Sequence, residues 1–113
     1  TDIITKINHI RKENESYQQT NNIKFLETGN DQIIAFYKWN QDKTNETLTV
    51  ISLDAYHSQT GSVQLPLHEM GIHHGQKIEV FDLVTRNSYN WYNEWNYVQL
   101  HATLPFHIFK INK

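Results

Sequence analysis

The sequence predicts a mainly β protein, an antiparallel β-sandwich of about eight strands with Greek-key connections, preceded by one N-terminal α-helix. Three observations predict it. From Ile23 onward, short runs rich in Ile, Val, Phe, Tyr and Thr alternate with polar residues, the period of a half-buried strand. Turn-forming residues interrupt these runs every 8 to 12 residues or so, about the spacing of a sandwich. Only the first residues carry a helical period instead.

That helix is expected over residues 2–14, where Ile3, Ile7 and Ile10 recur at helical spacing and Ile4 widens the stripe. Asp2 can cap its start, and Arg11 and Lys12 suit the negative end of its dipole. Such a short helix is marginal alone and needs a surface to cover its isoleucines. Folding onto the sandwich, pairing with a second copy, and fraying are the three outcomes open to it. After the polar linker NESYQQTNN come IKFLE (23–27) and QIIAFYKW (32–39), joined by the turn Gly29-Asn30-Asp31. TLTVISL (47–53), SVQLP (62–66) and KIEVFDL (77–83) follow, the last two separated by LHEMGIHHG, a turn or a single helical turn. SYNWY (88–92), NYVQL (96–100) and PFHIFKI (105–111) complete the set.

The stretch SYNWYNEWNYVQL gathers Tyr89, Trp91, Tyr92, Trp95 and Tyr97. A two-residue turn at Asn93-Glu94 would make it a hairpin, pairing Tyr92 with Trp95 and Trp91 with Asn96. Alternation then places Tyr89, Trp91, Val98 and Leu100 on a core face, and Asn90, Tyr92, Trp95 and Tyr97 on the opposite one. The outer cluster can pack on itself, stack on a sugar ring, or dock another domain. Tyr92, Trp95 and Tyr97, with Trp39, are the candidate carbohydrate-binding residues.

Composition excludes several function classes. The chain has 113 residues, no cysteine and a net charge of −2 with histidine neutral. Disulfides, thiolate metal sites and cysteine nucleophiles are therefore absent. The absence of cysteine suits a reducing, cytoplasmic setting. The dispersed charge gives no footprint for nucleic acid, and the short apolar runs give none for a membrane span or a leader. HEMGIHH (68–74) echoes a metalloprotease helix, but Ile72 stands where the second histidine belongs, and Gly71 weakens a helix there. His107 sits among apolar residues, where a hydrogen-bonded core histidine is the commoner outcome. Ser58 and Ser62 lack a nucleophile elbow, and no glycine loop cradles phosphate. Neither a catalytic constellation, a metal site nor a cofactor site is expected.

Three segments in order, NDQIIAFYKW, VISLDAYHSQTGSVQLPL and VFDLVTRNSYNW…NYVQL…PFHIFKI, resemble the C-terminal domain of the α-1,4-glucan:maltose-1-phosphate maltosyltransferases, members of the α-amylase superfamily. The most specific part is Leu53-Asp54, Gln59, Gly61, Val63 and Leu65-Pro66-Leu67, followed by Asp82-Leu83, Thr85 and Tyr89-x-Trp91. ITKINHIRKEN likewise resembles the last helix of that superfamily's (β/α)8 barrel. Related amylases and trehalose synthases end in similar sandwiches. The resemblance implies two parts: residues 1–20 as the last barrel helix and linker, and 21–113 as the C-terminal β-sandwich domain. It also implies a family catalytic aspartate and glutamate upstream of Thr1, a retaining transfer of maltosyl units to α-1,4-glucan, and no catalytic residue here. The implied role is structural support of the upstream barrel, with α-glucan binding through the exposed aromatics as the alternative.

Overall fold

The computed structural model describes residues 22–113 together with Thr5, His9, Ile10, Lys12 and Glu13. From Ile23 onward the described residues form eight strands and one short helix, in order: β1 Ile23–Leu26, β2 Ile33–Trp39, β3 Glu46–Ser52, β4 Gln59–Gln64, α1 Leu67–Met70, β5 Ile78–Asp82, β6 Ser88–Trp91, β7 Trp95–Leu100 and β8 Phe106–Asn112. They form a six-stranded sheet ordered β1-β2-β3-β8-β5-β6 and a two-stranded sheet of β4 and β7. All strand pairings are antiparallel. The sandwich expected from the alternating pattern is thus present, with each expected strand in place.

Alternation decides what lies between the sheets. Ile33, Ala35 and Tyr37 of β2 register with Ser52, Val50 and Leu48 of β3, and they face Val63 of β4 and Val98 and Leu100 of β7 across one buried cluster. Its polar member is Tyr37, whose hydroxyl donates to the Glu46 carboxylate, and Lys113 Nζ closes the group 2.8 Å from the other Glu46 oxygen. Burial, and then the hydrogen bond to Glu46, push the Tyr37 phenol well above its usual range, so it stays protonated and donates. The second edge of β4 is stitched to the loop after β1, where Gly29 N–H donates to the Ser62 carbonyl at 2.9 Å and Gln64 N–H to that of Glu27 at 3.0 Å.

The opposite face of the large sheet is also apolar. Val84 and Ile108 are buried there with Ile10, and Leu83, Leu104 and Phe106 pack against them. Ile10 is helical, as are Thr5, His9, Lys12 and Glu13, and His9 Nε2 lies 2.9 Å from Glu13 Oε1 one turn on. Of the three outcomes open to the isoleucine stripe, folding onto the sandwich is the one realised at Ile10. Ile3, Ile4 and Ile7 lie outside the described residues, as does the expected linker.

Two expectations need correcting. β6 and β7 do not pair as a hairpin: β6 registers with β5, Trp91 opposite Ile78, while β7 registers with β4, Trp95 opposite Gln64. The three residues between them carry the chain from one sheet to the other. Their path is set by contacts to β4 and β7: the Glu94 carbonyl accepts from Leu65 N–H at 2.8 Å, the Glu94 carboxylate accepts from the Gln64 amide, and the Asn96 amide donates to the Asn93 carbonyl at 2.7 Å. Tyr89, assigned to the core, is 45% exposed. A six-stranded sheet facing a two-stranded one leaves part of its inner surface uncovered, and Tyr89 lies on that overhang.

Candidate functional site

The overhang creates a cleft of about 420 Å³. Its apolar wall comes from Tyr89 and Trp91 of β6, Tyr97 of β7 and Phe109 of β8. Three of these positions follow from alternation: Tyr89 and Trp91 register with Val80 and Ile78, and Phe109 with Leu48, all inward-facing positions, while Tyr97 reaches the cleft from the outer face of β7. Phe109 is the hub, with the ring centroid of Trp91 at 5.3 Å, Tyr89 at 6.3 Å and His107 at 5.7 Å. Tyr89 and Trp91 meet it edge-on and His107 stacks on it, and such contacts hold aromatic walls in place. Trp91 is half-buried against the core cluster, in keeping with its expected packing role.

Below the rings lies an ion pair. Asp82 is fully buried, and Oδ2 sits 2.6 Å from His107 Nδ1. Asp82 Oδ1 accepts from Val84 N–H at 2.9 Å, and Oδ2 also accepts from the Thr85 hydroxyl at 2.9 Å. Burial opposes its charge, but the hydrogen bonds from His107 and Val84 outweigh that and hold its pKa below 3.8. Burial likewise opposes a charge on His107, yet Asp82 overrides it and raises the imidazole above 6.5. His107 Nε2 lies 3.0 Å from the Gln99 carbonyl oxygen. A histidine of β8 therefore ties the large sheet to β7 of the small one. It is hydrogen-bonded as expected of a core histidine, but it is half-buried beside the core cluster and not a member of it.

Three of the four candidate sugar residues are displayed to solvent: Tyr92, Trp95 and Tyr97. Trp95 and Tyr97 share the outer face of β7, while Asn96, Val98 and Leu100 point inward, as expected. The ring contacts among the described residues do not join these three to one another or to Trp39. Trp39 instead stacks at a tilt on Tyr37, 5.0 Å between centroids, with Lys43 Nζ 6.0 Å from its ring centre. The structure brings Tyr97 together with Tyr89 and Trp91 around one cleft, a grouping that a β6–β7 hairpin would not make. The excess width of the large sheet, visible only in the strand order, is what exposes it.

A larger cavity of about 560 Å³ lies between β1, α1 and β4. Lys24 pairs there with Glu69 at 2.9 Å, and the Gln64 amide donates to the Glu94 carboxylate. The HEMGIHH segment borders it: Leu67–Met70 is one helical turn, stopped by Gly71 in the left-handed conformation at φ 70°. Among the described residues, no three His, Asp or Glu side chains gather into a metal-binding group. No helix among them is long and apolar enough to cross a membrane.

Residues 25–111, which hold the cleft and nearly all of both sheets, match the family model described as GLGE, C-terminal. The chain belongs to this family. It is 35% identical over 116 residues to the alpha-1,4-glucan:maltose-1-phosphate maltosyltransferase of Chlorobaculum tepidum, covering 96% of this chain and 17% of that protein. It is 37% identical over 99 residues to the protein of the same name in Picrophilus torridus, and 39% over 99 residues to that of Corynebacterium glutamicum. In both, 88% of this chain is covered, against 15% and 14% of those proteins. The GLGE C-terminal chain thus spans about one-sixth of the length of such relatives.

Proposed function

We propose that this chain is the non-catalytic, C-terminal all-β domain of a cytoplasmic, retaining maltosyltransferase of the α-amylase superfamily, which extends α-1,4-glucan from maltose 1-phosphate. Residues 1–20 would end an upstream (β/α)8 barrel, and the sandwich from residue 21 would brace it. One observation carries this reading: the chain aligns over nearly its whole length with proteins named as maltosyltransferases, yet spans only 14–17% of theirs. Alone, the chain is expected to transfer no maltosyl unit from maltose 1-phosphate to glycogen. Removing it from the intact enzyme is expected to lower both thermal stability and turnover. Turnover by the lone chain, or an intact enzyme indifferent to the deletion, overturns the proposal.

The aromatic display at β6 and β7 favours a second role, α-glucan binding. Tyr92, Trp95 and Tyr97 are all exposed, and aromatic faces beside amides suit the apolar face and hydroxyls of a pyranose. Titration with maltoheptaose, followed by tryptophan emission, tests it: saturable change supports binding, and unchanged emission at millimolar sugar removes it.

A further inference from the structure

We propose that the sugar subsite lies in the cleft between β6, β7 and β8 rather than on the outer face of β7, and that it takes the end of a short, neutral α-1,4-glucan. The proposal rests on the glucan-binding reading above and deepens it. The cleft falls within the roughly 300–1,000 Å³ typical of small-molecule sites, whereas the outer face of β7 is open surface. Its walls are flat rings: Tyr89 and Tyr97, 45% and 65% exposed, line it from β6 and β7 together with the half-buried Trp91. Rings this exposed on either side of a pocket lose packing area that a ligand can restore.

The polar lining selects the class of ligand. Asp82 would attract a cation, but its oxygens already accept from His107, Val84 and Thr85. His107 would attract an anion, but both its nitrogens are engaged, by Asp82 and by the Gln99 carbonyl. The pair neutralises itself, and a charged ligand meets no unmatched partner there. What remains at the mouth is hydrogen-bonding capacity, the amides of Asn87 and Gln99 and the Nε2 of His101, whose Nδ1 lies 3.4 Å from Ser58 Oγ. Flat apolar faces with neutral amides around them fit a sugar ring, apolar on one face and hydroxylated at its edge. A quaternary ammonium would want an unpaired carboxylate, and a phosphate an unpaired cation.

Residue placement separates the two surfaces. Tyr89 belongs to the cleft alone, Trp95 to the outer face alone, and Tyr97 borders both. Maltotriose and maltoheptaose should shift backbone amides at 85–91, 97–101 and 107 in a saturable manner. Tyr89→Ala should weaken binding about tenfold, the equivalent of roughly 1.4 kcal/mol, with thermal midpoint as the check on folding. Tyr89→Phe keeps the ring and should retain binding, while Trp95→Ala should weaken binding less than Tyr89→Ala does. If Trp95→Ala abolishes binding and Tyr89→Ala does not, glucan binding stands and the cleft is wrong. Should wild type show no shift with either sugar, both the cleft and the glucan-binding reading fall. Saturable binding of adenosine, choline or inorganic phosphate in the cleft, without maltotriose binding, overturns the sugar assignment.

Discussion

The Nδ1 and Nε2 atoms of His107 lie 2.6 Å from Asp82 Oδ2 and 3.0 Å from the Gln99 carbonyl oxygen. A carboxylate and a carbonyl both only accept, so both ring nitrogens must carry a proton to satisfy them. The imidazolium is therefore the form that completes the link between the sheets. A neutral ring would leave one of the two acceptors without its donor. The sign of the pH dependence follows. His107 is raised above 6.5 on folding, so its stabilisation is fully present below about 6.5 and is lost as pH rises through the folded value. Asp82 is lowered beneath 3.8, so its share is present above about that pH and is lost as pH falls through its depressed value. Stability should therefore peak between these limits and decline on the alkaline side. Urea unfolding from pH 5 to pH 9 checks this, and His107→Gln should flatten the alkaline decline while lowering stability overall. An alkaline decline that persists in the variant would assign the titration to another group.

At the scale of elements, two glycines act for different reasons. Gly61 in β4 has an ordinary strand backbone, but an added Cβ would lie 3.1 Å from Asn30 Cβ and 3.2 Å from Ile33 Cδ1. Gly61→Ala presses β4 off the β1–β2 loop and should cost about 1–3 kcal/mol in urea unfolding. Gly71 ends α1 at φ 70° with open space around it, so Gly71→Ala meets no neighbour and should cost about 1–2 kcal/mol through backbone conformation alone. Gly71→Asn should recover part of that loss, since Asn tolerates the left-handed region, whereas Gly61→Asn should recover nothing. The elements themselves were legible because periodicity reports which way side chains point. It placed Trp95 and Tyr97 outward and Val98 and Leu100 inward. It does not report which strand lies alongside. The link from β6 to β7 is directed by Leu65 and Gln64, thirty residues or so earlier in the chain, and no local pattern carries that information. The cleft was hidden for the same reason: Tyr89 and Trp91 obey the inward parity, but whether an inward residue is covered depends on how many strands stand opposite.

At the scale of the whole molecule, the outer face of the large sheet is covered at one end and open at the other. Ile10 packs with Ile108 and Val84 near β8, whereas toward β1 Phe25 and Ile34 are exposed. Phe25, 65% exposed, registers with Phe36, their rings 5.7 Å apart, and Ile34 beside them registers with Ile51. Contiguous apolar surface of this kind marks a contact site more often than a free surface. On the proposal that the parent chain carries a catalytic barrel, this strip is where the barrel would rest. Covering a side chain such as phenylalanine contributes about 1.5–3 kcal/mol, so Phe25 and Ile34 together could anchor such an interface. Phe25→Ser with Ile34→Ser should therefore lower the thermal midpoint of the intact enzyme by several degrees. In the 113-residue chain alone the same pair, exposed already, should change stability by little more than about 0.5 kcal/mol per site. Equal losses in both proteins would mean that the strip serves only its own sheet, and no loss in either would place the barrel contact on another face.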